Sequence, residues 1–277
     1  MDLSIIIVSW QVKDKLRANL QAIISSRGEF TREIFVVDNF SQDGSVEMVK
    51  NEFPEVSLIA NQDNLGFAKA NNQALKLAKG RYILLLNPDM RVYPDTLEKA
   101  LVWAKNNQQA VVSGCRLEDE QGNLVKQVRR FPGIWDQLAV ILKLPHIFPN
   151  INANYLQTRF DYNQAAQVDS IRGAFFLINT ESYQKIAQGV PLLLDERYFI
   201  WFEEVDFCRQ VYQLGGEVWY QPAATCLDYV GQSFKQVNRQ HKQQYFRNSM
   251  LAYFRKWQPK WQAKVLAGAW RLVELFI

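Results

Sequence analysis

Residues 5–8 read IIIV and residues 83–86 read ILLL, and these two runs decide the fold. Neither shows the alternation of apolar and polar residues that marks a strand with one wet face. Strands covered on both faces have this pattern, which is typical of parallel sheets with helices packed on each side. The sequence therefore predicts an α/β fold with these strands in its interior.

Strand and helix patterns alternate along the first 115 residues. The prediction is strands at 4–9, 33–38, 56–60, 82–86 and 110–114, and helices at 13–26, 45–53, 68–78 and 94–106. Such alternation predicts a mainly parallel central sheet flanked by helices. Sheets of this kind bind ligands beyond the carboxyl ends of their strands, so Ser9, Trp10, Asp38, Asn87 and Asp89 become candidate site residues.

The remaining sequence divides into an irregular half and a helical end. From residue 116 the pattern is broken by glycine, proline and a polar stretch, which predicts loops over the site. Regular patterns return at 171–178, 198–202, 204–214 and 217–221, and a final helical section at 240–277 is broken by Pro259. We therefore expect two halves of one domain, 1–115 and 116–235, followed by a C-terminal helical extension, 236–277.

Composition and charge exclude several classes of protein. The chain has 277 residues, 48% of them hydrophobic, and a net charge of +4. Residues 236–277 carry +7, which leaves −3 for residues 1–235, so a uniform nucleic-acid-binding surface is not expected. Three unpaired cysteines, the absence of a signal-peptide pattern and the absence of a long apolar run predict a protein of the reducing cytosol.

Several kinds of site are also excluded. The chain has no GxGxxG or GxxxxGK[ST] pattern, which argues against a dinucleotide fingerprint or a P-loop. Only His146 and His241 are present, so a histidine-based zinc site or a Ser-His-Asp hydrolase is poorly supported. Gly66 would allow close backbone approach to a ligand, or would merely start a helix.

Carboxylates in two places could carry chemistry. Asn87-Pro88-Asp89 places an amide and a carboxylate on a rigid turn, where they would face a cation and a diphosphate or would simply form the turn. Glu203, Glu204 and Asp206 lie among aromatic residues. Carboxylates in apolar surroundings are costly to ionise and have raised pKa values, which suits a general base. The alternative is a solvated helix N-terminus. Asp38 would accept hydrogen bonds from a ribose or a base, or would serve as a helix cap.

Six motifs occur in the order found in one enzyme family. They are SIIIVSW, FVVDNFSQDGS, NLGFAKANN, LLLNPD, RGAFFLI and DERYFIWFEEVDFCRQ, and the match to the family covers roughly residues 3–235. The chain thereby resembles family 2 glycosyltransferases, especially the bacterial rhamnosyltransferase-like branch that builds surface polysaccharides. The resemblance implies a GT-A fold with a Rossmann-like sheet and inverting transfer of a sugar from a nucleotide diphosphate-sugar, of dTDP-rhamnose or UDP-sugar type, to a hydroxyl of a polysaccharide or lipid-linked oligosaccharide.

The resemblance also implies roles for residues. Ser9, Trp10 and Asp38 would bind the nucleotide with Asn87, and NLGFAKANN would add Gly66, Phe67 and Asn72. Asp89 would bind Mg²⁺ or Mn²⁺. Glu204 would be the catalytic base, with Glu203 beside it and Asp206 as a helper or rival.

Three positions depart from the family pattern. Asn87 replaces an aspartate at the start of the metal motif, and Glu204 is longer by one methylene than the frequent aspartate. In the segment at 228–233, Asp228 stands where many relatives have a histidine. An aspartate still binds a hard cation, so Asp228 is a second metal candidate, or else a protein ligand is lost and metal dependence is weaker. These departures leave open a catalytically idle nucleotide-sugar-binding partner subunit. A nucleotidyltransferase is weakly supported, because no glycine- and arginine-rich loop follows the first strand.

The C-terminal section is basic and aromatic. Met250, Phe254, Trp257, Trp261 and Val265 recur at three- and four-residue intervals among lysines and arginines. This pattern predicts an interfacial helix on the inner face of the cell membrane. Packing on the domain core explains 246–254 equally well, and the exposed aromatic residues would serve a dimer as readily as a bilayer.

Overall fold

The computed structural model describes residues 1–229 and 237–274. Within these residues a nine-stranded sheet forms the centre of the molecule. Its strands are β1 (Leu3–Ser9), β2 (Arg32–Asp38), β3 (Ser57–Ala60), β4 (Tyr82–Leu86), β5 (Met90–Val92), β6 (Ala110–Glu118), β7 (Ala166–Gln167), β8 (Phe175–Asn179) and β9 (Glu217–Asp228).

Helices flank the sheet and form the C-terminal extension. They are α1 (Lys13–Ile24), α2 (Ser45–Glu52), α3 (Phe67–Leu75), α4 (Thr96–Asn106), α5 (Ile134–Ile141), α6 (Thr180–Ile186), α7 (Glu203–Gln213), α8 (Arg239–Trp257) and α9 (Lys260–Glu274). A single 3₁₀ turn, Leu144–His146, follows α5.

The order of the strands is β3-β2-β1-β4-β8-β6-β9-β5, and β7 pairs with β9. Strands β1, β2, β3 and β4 are parallel, and β6 and β9 run in the same direction as they do. Strands β5, β7 and β8 run the opposite way. The prediction of a mainly parallel sheet is therefore confirmed for the described residues, and β8 enters the sheet from the end at which β4 leaves it.

The sheet is buried on both faces, as the apolar runs predict. Ile5 and Ile7 belong to a core with α1, α2 and α4, whereas Ile6 and Val8 belong to a second core with α3 and α7. Consecutive strand residues point to opposite faces, so an apolar run without alternation fills two cores at once. The three cysteines are buried and free, as expected of small core residues.

The helical extension packs on the domain. Met250, Leu251 and Phe254 of α8 are buried in a third core with Tyr198 and Phe202, and α5 and α9 complete this core. Of the two alternatives left open for 246–254, packing on the domain core is the one the structure shows, because Met250 and Phe254 have protein partners. No helix formed by residues 1–229 and 237–274 combines the length and the apolar character needed to cross a bilayer.

Residues 198–202 are the main local difference from the prediction. A regular pattern was predicted there, but the residues form bends that turn the chain, and Trp201 and Phe202 adopt φ values of 64° and 71°. Two bulky residues in the left-handed region are unusual and are held there by the packing around them. This turn lets α7 begin at Glu203, one residue earlier than predicted.

Candidate active site

A cavity of about 950 Å³ lies at the carboxyl ends of β1 and β4. Strand order places it where ligands bind in sheets of this kind. The predicted site residues that line it are Trp10, Gly66, Phe67, Asn87, Asp89, Glu203, Glu204 and Asp228. The structure thus brings together residues that are up to 218 positions apart in the chain.

The turn after β4 places Asn87 and Asp89. The backbone N–H of Asn87 donates to the carbonyl oxygen of Ala174 at 3.0 Å. The side chain of Asn19 donates through Nδ2 to the backbone carbonyl oxygen of Asn87 at 2.9 Å. The chain then enters β5, in which Met90 pairs with Asp228 of β9. The Tyr229 amide donates to the Asp89 carbonyl oxygen at 3.2 Å, so the two aspartates lie on adjacent segments of the chain, and both line the cavity.

Asp228 also has a cationic partner. Arg172, which precedes β8, lies with Nη1 at 3.1 Å from Oδ2 of Asp228, and the Asp228 side chain is only 3% exposed. A buried carboxylate requires such compensation. Arg172 reaches the site because β8 runs against β4, so its first residues lie at the carboxyl end of β4.

The donor set of the cavity suits a hard cation. Mg²⁺ is usually held by one or two carboxylates together with substrate phosphates, and Asp89 and Asp228 provide two carboxylates on one wall. No group of three or more His, Cys, Asp or Glu side chains suited to a metal occurs in the described part of the chain. Residues 230–233 of the segment predicted to contain a ligand lie outside the described residues.

Glu203 and Glu204 form a second acidic pair in the cavity, at the start of α7. Burial raises the pKa of both carboxyls, and the charge of Glu204 raises the pKa of Glu203 further. Arg129 and Arg172 act against this on Glu204 by lowering its pKa. One oxygen of each carboxyl, Oε2, is buried and finds no hydrogen-bond partner among the described residues. Such carboxyls are suited to accept a proton.

Sequence reasoning missed the two arginines. Arg129 and Arg172 both line the cavity, and an antiparallel bridge between Arg129 and Ser170 holds the two segments together. Arg172 opens the motif RGAFFLI, so its place before a buried strand was a usable indication. Arg129 lies in the half without regular pattern, where the sequence offers no such indication.

Asp206 lies one helical turn from Glu203 but does not line the cavity. Its Oδ1 accepts hydrogen bonds from the Tyr198 hydroxyl at 2.9 Å and from Trp257 Nε1 at 2.5 Å, and its Oδ2 accepts one from Lys256 at 2.6 Å. Its carboxylate therefore joins α7 to α8 and faces away from Glu204's cavity wall.

Ser9, Asp38 and Asn72 also lie outside the cavity lining. Ser9 and Asp38 pair in register at the ends of β1 and β2, and Asp38 Oδ1 accepts from the Ser41 amide at 2.8 Å. Burial raises the pKa of Asp38. Asn72 makes two hydrogen bonds of 2.8 Å with the backbone of Leu194. Asn39, the neighbour of Asp38, lines the cavity instead.

Gly66 and Phe67 hold the loop that leads to α7. Gly66 has φ +81°, and a Cβ there would lie 2.5 Å from the carbonyl oxygen of Phe199. The Phe67 amide donates to the same oxygen at 2.6 Å. The close approach at Gly66 is thus to the protein's own backbone, which explains the need for glycine.

Helix α8 supplies an aromatic wall. Tyr245 stacks on Phe199 with ring centroids 4.5 Å apart, and His241 stacks on Tyr245 at 6.3 Å. All three residues line the cavity, together with Asn238, whose Oδ1 caps α8 by accepting from the His241 amide. The four-residue spacing of His241 and Tyr245 places both on one helix face, an indication that was available in the sequence.

The fold and the position of this cavity define the class of the protein. Among solved structures, GalNAc-T7 with UDP, GalNAc and Mn²⁺ superposes with a TM-score of 0.62 at 16% identity, covering 91% of this chain and 48% of that one. The mannosyltransferase PcManGT from Pyrobaculum calidifontis, in complex with GDP-Man and Mn²⁺, gives 0.58 at 16% identity, covering 99% and 70%. The chain has the GT-A fold of these glycosyltransferases.

The sequence comparison then gives the family. The model of glycosyl transferase family 2 matches residues 4–186, and the chain belongs to this family. Rhamnosyltransferase WbbL of Escherichia coli K12 is 26% identical over 172 residues, which are 59% of this chain and 61% of that protein. The N-acetylglucosaminyl-diphospho-decaprenol L-rhamnosyltransferase of Mycobacterium tuberculosis is 24% identical over 225 residues, 76% of this chain and 71% of the relative.

A further relative, an uncharacterized glycosyltransferase of Methanocaldococcus jannaschii, is 26% identical over 132 residues, 46% of each chain. The chain therefore spans about half the length of the archaeal relative and about three fifths of the length of WbbL. The predicted family is confirmed, and relatives of the rhamnosyltransferase type are among its matches.

Proposed function

We propose that the protein is an inverting glycosyltransferase that moves a sugar from a nucleotide diphosphate-sugar to a hydroxyl of a glycan acceptor. The observation that carries the proposal is the pairing of two carboxyl groups at each of two places in one cavity. Asp89 and Asp228 lie on one wall, and Glu203 and Glu204 lie at the start of α7.

Glu204 acts as the base in this proposal. Its carboxylate takes the proton from the acceptor hydroxyl while the hydroxyl oxygen forms a bond to the anomeric carbon. The bond from that carbon to the diphosphate breaks, and the nucleoside diphosphate leaves with the electron pair. Direct displacement of this kind inverts the anomeric centre. Glu203 is more deeply buried than Glu204. It places a second carboxyl group beside the base and excludes water from it.

The other wall stabilises the leaving group. Asp89 and Asp228 would hold a divalent cation, which would supply positive charge against the diphosphate of the leaving group. Arg172 and Arg129 place fixed positive charges in the same cavity. Trp10, Asn39 and Asn87 lie near the ends of β1, β2 and β4, where a nucleotide would bind, and Phe67 and Gly66 complete that side.

The donor and acceptor types come from the relatives. WbbL is a rhamnosyltransferase, and the mycobacterial relative acts, by its name, on a diphospho-decaprenol-linked sugar. We propose a dTDP-rhamnose or UDP-sugar donor and a lipid-linked oligosaccharide acceptor, met by the enzyme on the cytoplasmic face of a membrane.

The test replaces the base and keeps its shape. The Glu204→Gln variant should lose about 100-fold or more in kcat, the usual contribution of a positioned base, while nucleotide binding is retained. Transfer is measured with dTDP-rhamnose and UDP-N-acetylglucosamine as donors and a synthetic N-acetylglucosaminyl-diphospho-lipid as acceptor.

Two matched variants sharpen the result. Glu47→Gln makes the same change on the exposed face of α2 and should leave transfer unchanged. Glu203→Gln should reduce transfer less than Glu204→Gln. Full activity in Glu204→Gln would refute the assignment, and nucleotide binding without turnover in the unmodified protein would favour an idle nucleotide-sugar-binding subunit.

A further inference from the structure

Large apolar side chains are exposed in one part of the molecule more than elsewhere. Trp135 is 78% exposed, Ile147 70% and Phe148 58%, all in or just after α5, and on α9 Trp261 is 56% and Leu272 59% exposed. Helices α5 and α9 pack against each other in the third core. We call the exposed face of residues 134–151 and α9 the α5–α9 surface.

Helix α9 has two apolar faces. Ala263, Leu266 and Trp270 are buried against the domain. On the opposite side an apolar stripe of Trp261, Val265, Gly268 and Leu272 is exposed, with spacings of four, three and four residues that place it along one line of the helix. Packing of α9 on its own domain buries the first face only and does not account for the second, exposed stripe.

Cations border the stripe. Lys260, Lys264 and Arg271 are exposed and follow one another at four- and seven-residue intervals, so they form a row beside the apolar line. Apolar side chains flanked by lysine and arginine are typical of helices that lie in the boundary between headgroups and acyl chains.

The segment after α5 continues the same pattern. Ile134 and Ile141 are buried in the third core, whereas Trp135 and Leu142 point outward. The chain then exposes Ile147, Phe148 and Ile151 around a 3₁₀ turn.

The α5–α9 surface and the adjoining helix α8 are together cationic. Residues 134–151 and 260–274 contain four lysines and arginines and two acids, Asp136 and Glu274, and α8 adds five lysines and arginines and no acid. The rest of the chain has a net charge of −3. Lys256 of α8 is paired with Asp195 and Asp206 inside the molecule.

The α5–α9 surface lies close to the cavity. Arg129 lines the cavity and Trp135 follows six residues later, so their Cα atoms are at most about 20 Å apart. Helix α8 begins at the cavity with Asn238 and His241 and ends against α9. One edge of this surface therefore lies within about 20 Å of a residue that lines the cavity.

We propose that the α5–α9 surface binds the headgroup region of an anionic lipid bilayer. The apolar side chains enter the boundary of the acyl chains, and the cations meet the lipid phosphates. A second copy of the chain fits less well, because a symmetric contact would place one net cationic surface against another. The inference deepens the proposed function, because a lipid-linked acceptor is met at a bilayer. Binding of lipid by this surface does not depend on the proposed function, and only the purpose of that binding rests on it.

Vesicle flotation tests the proposal without any sugar donor. We expect the full chain to float with vesicles of phosphatidylglycerol and phosphatidylcholine and to float at least 10-fold less with phosphatidylcholine alone. Binding should weaken as salt is raised. The double variant Trp261→Gln/Phe148→Gln should lose most of this binding.

The matched control makes the same type of change elsewhere. Leu77→Gln/Val102→Gln alters two side chains that are 53% and 51% exposed on other parts of the molecule, and it should bind vesicles normally. Equal flotation of both double variants, or no preference for anionic lipid, would overturn the proposal. So would a dimer in light scattering that only the first double variant dissociates. Nucleotide binding, measured in the same samples by calorimetry, separates failure of this surface from failure of the proposed function.

Discussion

Glu203 and Glu204 are neighbours in sequence but have different surroundings. Arg129 and Arg172 oppose the rise in pKa at Glu204, whereas Glu203 is buried with the charge of Glu204 beside it. Ionised Glu203 is therefore an unfavourable group in the folded protein at neutral pH. Enzymes often retain such groups at the expense of stability.

The sign of this effect gives a prediction for Glu203→Gln. Because the pKa is raised in the folded state, protonation of Glu203 stabilises the fold below its unfolded pKa, and this stabilisation is lost as pH rises through the folded pKa. The variant, which is neutral at every pH, should have a higher Tm than the unmodified protein at pH 8. The difference should shrink as pH falls toward 4. Calorimetric melting across this range measures it, and a difference independent of pH would contradict the assignment.

The same pKa shift predicts the pH dependence of transfer. The base must be ionised, and burial raises the pKa of Glu204 above its ordinary value. The acidic limb of kcat/KM should therefore lie above the usual glutamate range of about 4.3. Replacing Arg172 by Met removes a charge that lowers this pKa and should move the limb to higher pH. An unchanged limb would mean that another group is titrating.

Part of the site was readable from the residues. Asn87, Asp89, Glu203 and Glu204 were predicted and line the cavity, because a strand end or a helix start fixes the direction of the chain there. Asp206 has the same chemistry but faces α8. The turn at Trp201 and Phe202 decides which acid points inward, and no local preference of these residues predicts that turn.

At the scale of elements, α7 and α8 are joined by buried polar contacts. Lys256 lies 2.6 Å from Asp206 and 2.9 Å from Asp195. Hydrogen bonds from Arg197 and Lys256 hold the pKa of Asp195 well below its usual range. The helix that carries the proposed base is thus tied to the C-terminal extension.

Removing this tie should destabilise the fold. Lys256→Met leaves Asp206 buried without its cation, and the expected loss is about 3 kcal/mol or more in the free energy of unfolding. Lys69→Met, on the exposed face of α3, is the matched control. The double variant Lys256→Met/Asp206→Asn should recover part of the loss, and additive effects in urea unfolding would show that the two residues act separately.

The elements of the first 115 residues were largely predictable, and those of the second half were not. Strands such as β1 and β4 contribute side chains to two cores, so their continuous apolar runs identify them in the sequence as buried strands. Helix α5 has only eight residues and lies between prolines, with its outward face apolar. Short helices of this kind gain their stability from tertiary contacts, which a local pattern does not contain.

At the scale of the whole molecule, ligand binding should raise the melting temperature. A nucleotide diphosphate that binds only the folded state stabilises it by mass action, by about 2.7 kcal/mol at a concentration of 100 times Kd. Mn²⁺ should increase the shift given by the matching nucleotide. Asp89→Asn should abolish the increase due to Mn²⁺ and retain the shift due to the nucleotide alone. A shift in the variant that still depends on Mn²⁺ would place the cation elsewhere.

Helix α8 crosses the molecule from the cavity to α9, and near its middle the Ser249 hydroxyl donates to the carbonyl oxygen of Ile200 at 2.8 Å. A helix is stiff over this length. Ten residues, or about 15 Å, separate Ser249 from the first turn of α8. A tilt of α8 by about 10° around the Ser249 contact would move His241 by about 2 Å, given the rise of an α-helix. A contact at α9 that tilted α8 would therefore also displace the aromatic wall of the cavity.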